Sequence, residues 1–493
     1  MANTEQITTG PPTVRRTLST WKIIVLIIAT MTPLSATAGT LPLGLAFGGP
    51  STALMFIVAG VIVGIFCIGY AQMVRRINRP GAFYNYITRG LGRPAGVGAA
   101  MIAVVGYPVG LVATAAVQAI VAHEVLSSTL NVNIDWQWLL LISTVITALF
   151  AWRQIDFNAK VVSVVVVVEV VAILVLAIAI IVKHGSSAIP LDVFSWSTLE
   201  IGDWKVALVF AILCFQGYEA GALYSPEAKD PERTVPRALY GALIILTGVL
   251  AFESWTLTGL AGRHELMDTV QQQGFVGFIF GTVQESLGTA GLNIFAICVL
   301  VAQLACAIGI TSFMGRYLNG LAKDRVLPSF LAKDNKHGAP GTAVLLLSGL
   351  GLVVPLILSA VGIDPYTQLA AVGFGLGALA ATALQGLASA SVIAFFLREG
   401  AGNLNIWKRL IAPALATVLL ITAFVTEIQS FTYITGNQET WTKAIPWILP
   451  LVFVIGLGVA FYFKANRPDV YDGLASGDSA EEAAALRAGR VEV

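Results

Sequence analysis

The sequence predicts an all-α polytopic membrane protein, and three observations carry that prediction. Of 493 residues, 56% are hydrophobic and 12% charged, about half the charged fraction of a soluble domain. Apolar runs of about 20 residues, the length that crosses a bilayer core, recur along nearly the whole chain. Lysines and arginines gather in alternate connections between those runs.

Twelve runs bounded by charges or turn residues are the expected spans. Span one, 22–47, begins beyond the basic Arg15, Arg16 and Lys22, and span two, 51–74, stops at Arg75 and Arg76. Spans three to five cover 95–126, 137–152 and 158–182, the fourth short and the fifth rich in valine. Spans six to eight cover 204–224, 236–260 and 288–320. The last four are 341–361, 367–397, 405–427 and 444–464. The third and eighth are long enough to tilt or to extend beyond the bilayer.

With the N-terminus in the cytoplasm, 23 lysines and arginines from Arg15 to Arg467 fall on the cytoplasmic side, and Arg487 and Arg490 lie further down the tail. The opposite side holds Lys183, Lys205, Arg263 and Lys443. The positive-inside rule therefore predicts a multi-pass protein of the cell membrane with both termini cytoplasmic. It also supports the span count, since one missed span would mix the loops.

Two spans depart from a regular helix. Span one contains "SATAG" followed by Pro42, and span six contains "CFQGYEAG", Cys214 to Gly221, with two glycines and a glutamate. In lipid, unpaired backbone is tolerated only against protein or a water-filled cavity. The two interruptions lie five spans apart, hence in opposite orientations, and such a pair points to a transporter binding site. Unwinding at Thr37–Gly39 would leave N–H groups for a carboxylate, helped by the half-helix dipole. Unwinding at Phe215–Glu219 would free carbonyls for an ammonium group. The competing reading is that small residues merely let helices approach closely.

The remaining motifs exclude other classes. Cys67, Cys214, Cys298 and Cys306 all lie in apolar runs and read as buried small hydrophobes, not a disulfide framework. A net charge of +1 without a basic cluster gives no reason to expect nucleic acid. No metal-ligand cluster, nucleophile–base pair or phosphate loop stands out. "GYPVG" (106–110) and "GFGLG" (373–377) read as packing or kink glycines. No enzyme activity, cofactor or obligate protein partner is expected, only the bilayer, a small solute and a possible coupling ion, H+ or Na+. Residues 1–20 lack the core of a signal peptide; they and 466–493 read as polar cytoplasmic tails too short for a folded domain.

Four segments carry a family resemblance. "SATAGTLPLGLAFGGP" (35–50) resembles the first-span substrate loop of the amino acid–polyamine–organocation superfamily of permeases. "RINRPGAFYNYITRGLGRPAG" (76–96) is similar to its Gly-aromatic cytoplasmic segment. "FQGYEAGALYSPEAKDPERTVPRAL" (215–239) resembles its Phe-x-Gly-aromatic-acid break and following loop. "SFMGRYLNGLAKDRVLP" (312–328) is similar to the motif ending span eight, although Lys323-Asp324-Arg325 stands where relatives favour Arg-Asp-Gly. The motifs cover about 20–340; the last four spans match only in kind.

The resemblance implies a LeuT-like 5+5 inverted repeat, 21–200 and 201–400, with helices 1 and 6 discontinuous and two further spans within 401–465. It implies a secondary transporter moving an amino acid by alternating access, with the substrate between spans one, three, six, eight and ten. Thr37, Ala38 and Gly39, next to Ser35, would meet the carboxylate. Cys214, Phe215 and Gly217 would line the amine and side-chain end. Relatives often carry an aromatic residue two positions before Phe215; here Leu213 leaves closure to Phe215 or Tyr218.

Charged groups within the spans are candidates for coupling and gating. Glu169 interrupts the valine run of span five, where a carboxylate costs about 2.5–3.5 kcal/mol. It is expected either to exchange a proton or pair a cation during the cycle, or to be a neutral acid hydrogen-bonded to a neighbouring span. Glu219 sits in the span-six break, binding or tying unwound backbone. Thr311 and Ser312 would offer hydroxyls to a cation together with span-one carbonyls, unless they bond back to their own helix. Glu253, His123 and Glu124 read as solvated rim groups.

Several functions fit this pattern. Transport of an amino acid, coupled to protons or by exchange, leads; sodium-coupled symport and polyamine or organic-amine transport are the alternatives. A dication would want more acids around the cavity than Glu219 and Glu169. A membrane enzyme or sensor would need catalytic groups or a larger cytoplasmic domain. An ion channel would need a filter loop or charged rings.

Overall fold

Every named element among the described residues is helical. The computed structural model describes residues 18–76, 82–153, 159–219, 221, 224, 228–400, 404–435 and 440–474. Most of both expected tails, with Arg15, Arg16, Arg79, Arg487 and Arg490, lies outside them.

Span one is split into α1 (Thr20–Met31) and α2 (Pro33–Gly39); α3 (Thr52–Arg76), the short α4 (Ala82–Leu91) and α5 (Arg93–Leu130) follow. Next come α6 (Trp136–Trp152), α7 (Ala159–His184), α8 (Trp204–Leu213) and α9 (Pro231–Ala261). The rest are α10 (Leu266–Gln273), α11 (Phe275–Lys323), α12 (Gly341–Ala360), α13 (Ala371–Arg398), α14 (Ala412–Gln429) and α15 (Ile448–Asn466). Among the described residues, ten helical stretches are long and apolar enough to cross a bilayer. Two shorter apolar helices, α6 and α8, stand where spans four and six were expected. Gly288, at φ +70° and ψ −177°, interrupts α11 at the residue where span eight was expected to begin.

The side-chain pattern of α7 shows how these helices meet lipid. Val164, Val167, Val168, Val171, Val175 and Ile178 are exposed, whereas Val166, Glu169, Ile173, Leu176 and Ile180 are buried. The two sets follow the 3.6-residue period of one apolar outer face and one packed inner face, and Glu169 belongs to the inner one.

Packing repeats with an offset of five spans. α1 packs on α7 and α9, and α8 packs on α13 and α3. The contact of α5 with α13 has its counterpart in α11 with α7, and that of α5 with α12 in α11 with α6. The close approach of α5 and α13 explains the glycine motifs. A β-carbon at Gly373 would stand 2.7 Å from that of Ala113, and one at Gly377 3.6 Å from the Gly110 α-carbon.

Candidate functional site

Span one breaks earlier than its composition suggested. α1 makes its last bond at Thr32 N–H to Ile28 C=O, 2.8 Å, and Thr32 then turns left-handed at φ +41° and ψ 74°. Pro33 accounts for the interruption, because it disfavours the helical region for the preceding residue and is tolerated in a first turn; the positive φ of Thr32 is not itself dictated by a proline. The expected unwinding at Thr37–Gly39 is therefore corrected: that stretch is helical in α2, with Thr40 N–H bonded to Ala36 C=O at 2.8 Å.

The break in span six falls where the sequence placed it. α8 ends at Leu213, and Gly217 adopts φ +95°. Glu219 holds this turn, its Oε2 accepting from Gly217 N–H at 3.0 Å and its Oε1 from the Tyr107 hydroxyl at 3.1 Å. The two breaks touch. Thr30 Oγ1 lies 3.0 Å from Gly217 C=O and 2.7 Å from Ile27 C=O, sharing its proton between them.

Between the breaks lies a cavity of about 130 Å³, roughly ten times what one water needs. From spans one and six it is lined by Thr32, Ser35, Gly39, Leu213, Cys214, Gly217 and Glu219. α5 contributes Tyr107, Leu111, Thr114 and Val117; α11 contributes Gln303, Cys306, Ile310, Phe313 and Met314; α13 contributes Phe374 and Gly377. Glu219 is the one carboxyl among the described lining residues, and they include no lysine, arginine or histidine.

Gln303, which the sequence reading passed over, forms part of the wall. It is 1% exposed, its Oε1 accepts from the Ser35 hydroxyl at 2.7 Å, and its Nε2 has no partner. A β-carbon at Gly39 would stand 3.8 Å from that Nε2. A lone glutamine in an apolar run carries no sequence signal that separates it from a packed amide.

Of the expected substrate residues, Ser35, Gly39, Cys214 and Gly217 reach the cavity. Thr37, Ala38, Phe215 and Tyr218 are fully buried and do not line it. Tyr218 instead packs edge-on against Phe66, 6.0 Å between ring centres, and Tyr70, 6.3 Å. Of the three positions expected to bear on closure, Leu213 lines the cavity and Phe215 and Tyr218 do not.

The coupling candidates separate as well. Glu169 is 2% exposed and faces the first turn of α2, where the Leu34 amide bonds its carboxyl; its Oε2 has no partner. Thr311 opens on a second cavity of about 20 Å³ with Thr114, Gln118, Thr144, Thr147 and Ser348. Ser312 is half-buried and lines neither cavity. That second cavity lies between α5, α6, α11 and α12.

Glu253 corrects another expectation. It is 0% exposed and no rim group, because its side chain faces α2; residues 185–190 cover the end of the same helix, with Trp255 Nε1 donating to Pro190 C=O at 2.8 Å. Thr37 Oγ1 lies 2.8 Å from its Oε2. Glu124 is exposed as expected, and the half-buried His123 places Nδ1 2.7 Å from Ile134 C=O.

One mouth of the cavity is shut. Tyr366 donates to Gly39 C=O at 3.3 Å and packs on Phe275 at 5.7 Å, which packs on Phe47 at 5.9 Å. At the other end Thr30, Tyr107, Gln216 and Phe313 are only half-buried, whereas Thr40, Val117 and Gln303 are buried. The cavity therefore opens toward the N-terminal side of α1.

Similarity to known proteins agrees with this geometry. Residues 18–462 match the sequence profile of the family described as amino acid permease. The chain is 24% identical over 332 residues to the branched-chain amino acid permease BcaP of Lactococcus lactis subsp. cremoris, covering 62% of this chain and 68% of that protein. It is 22% identical over 345 residues to the uncharacterized transporter Rv1979c of Mycobacterium tuberculosis, covering 63% and 67%. A probable amino-acid permease of Schizosaccharomyces pombe, meu22, is 24% identical over 335 residues, covering 62% and 55%. Two touching helix breaks around a small cavity, inside a bundle of membrane-length helices, are the features of a carrier rather than an enzyme, and the chain belongs to the amino acid permease family.

Proposed function

We propose that this protein is a secondary transporter that carries a neutral, aliphatic amino acid by alternating access through twelve spans. The single observation that carries this reading is the cavity between the two breaks. Its unpaired donor, Gln303 Nε2, held in place by the Ser35 hydroxyl on Oε1, suits a carboxylate, and Glu219 with the backbone at Gly217 suits an ammonium group. Met31, Leu111, Val117, Leu213, Ile310 and Phe374 leave an apolar remainder for the side chain. The branched-chain substrate in the name of one relative points the same way. A polyamine would need a second carboxyl, and Glu169 does not line the cavity.

The five-span offset in packing supports the 21–200 and 201–400 inverted repeats with 401–465 outside them, and α6 and α8 complete the twelve. The excess of lysine and arginine on one side supports cytoplasmic termini in the cell membrane, and in that orientation the open mouth faces inward. In proteoliposomes, counterflow of leucine, isoleucine or valine is expected to exceed that of putrescine or lysine at least tenfold. Preferred exchange of diamines would overturn the assignment. Glu169 is assigned to coupling through its hold on α2. Glu169→Gln is expected to reduce accumulation driven by an imposed gradient, and unchanged accumulation with unchanged pH dependence would remove that role.

A further inference from the structure

The carboxyl of Glu253 is not explained by substrate binding. It lines neither of the two cavities described above, it is 0% exposed, and its Oε1 has no partner. Its Oε2 lies 2.8 Å from Thr37 Oγ1, which also lies 3.1 Å from Pro33 C=O. A hydroxyl has one proton to give and can accept as well. At Thr30 both neighbours are carbonyls, so the proton must be shared. At Thr37 one neighbour is a carboxyl, and a proton on that carboxyl would let Glu253 donate to Thr37 while Thr37 donates to Pro33 C=O.

The surroundings agree. On the helices packed against α9, the Glu169 carboxyl of α7 is bonded by the Leu34 amide. Tyr70 of α3 turns to Tyr86 and Tyr218, Cys67 lies among the same rings, and Lys22 stands exposed in the first turn of α1. No described lysine, arginine or histidine forms an ion pair with Glu253. A carboxylate there would be a buried charge without a partner.

We propose that Glu253 is a proton-binding site of the transport cycle, carrying a proton while α2 rests against α9 and releasing it when α2 moves away. The inference rests on the transport reading above and adds a site to it. One step is implied: the O–H bond of Glu253 breaks to water when movement of α2 removes Thr37 and admits solvent, and it re-forms on return. Glu253 and Glu169 then hold the same short helix from two sides, one through a side chain and one through a backbone amide.

The test is proton uptake per amino acid, read by a trapped pH dye in proteoliposomes, beside leucine exchange without a gradient. Glu253→Gln keeps a donor to Thr37. It is expected to keep exchange within about twofold of wild type and to lose half or more of the proton uptake per substrate. Wild-type stoichiometry with exchange intact would overturn the site. If Glu253→Gln does not reach the membrane, Thr37→Ala removes the acceptor, and its exchange is expected to show a pH profile displaced by about half a unit or more. A superimposable profile would overturn the site as well. Wild-type protein that exchanges no amino acid would overturn the transport reading and the inference with it.

Discussion

Gly217→Ala is expected to lower amino acid exchange at least tenfold while leaving the protein in the membrane. Its φ of +95° costs a residue with a β-carbon about 1–2 kcal/mol. The new carbon would also stand 3.1 Å from Thr30 C=O, closer than nearly all such contacts, so α1 or the turn must shift. That shift disturbs three things at once: the Thr30 hydroxyl on Gly217 C=O, the Gly217 amide on Glu219, and the Tyr107 hydroxyl on the same carboxyl. Each factor of ten in exchange corresponds to about 1.4 kcal/mol, so the backbone strain alone supplies most of the first factor. Gly248→Ala is the control, since a β-carbon in that helical position meets nothing within 4 Å. Exchange by Gly217→Ala within twofold of the control would show that the turn re-forms without glycine.

Much of the architecture was readable in the sequence because lipid imposes it. A run such as 341–361 has nowhere to hide its backbone polar groups except in a helix, and the observed helix Gly341–Ala360 follows it within a residue. The span-six break was readable for a related reason: a glycine beside a glutamate in hydrocarbon answers to no helical packing rule, and Gly217 is where the chain turns. The span-one break was misplaced because a run of small residues looks weak yet forms a sound helix when both sides are packed. Pro33 was the informative residue, acting on Thr32 before it. Glu253 was misplaced for a different reason. Its distance from the end of its own run put it near solvent, but depth also depends on what lies above. Thr37 of α2, distant in sequence, covers that face of α9. Gln303 was silent for want of any pattern, since one amide in an apolar helix becomes meaningful only when the facing helix brings Ser35 to it.

Gln303→Leu is expected to raise the KM or Kd for the amino acid by about tenfold or more, with less effect on the amount of folded protein. The substitution preserves the volume of the wall while removing two polar functions. Ser35 loses the acceptor now 2.7 Å away, and the cavity loses an amide N–H that nothing else satisfies. A buried donor is costly to leave unpaired, and because Gln303 lines the cavity a substrate carboxylate is the partner expected for it. A hydrogen bond to a charged group contributes about 1.5–3 kcal/mol, which is about 10–150-fold in affinity. The comparison that isolates this bond uses two ligands. An amino acid should lose most of that factor in Gln303→Leu, whereas the corresponding amine without a carboxylate, such as isopentylamine against leucine, should lose little of its weaker binding. Equal losses for both would place the carboxylate elsewhere in the cavity and leave Gln303 a tether for Ser35 alone.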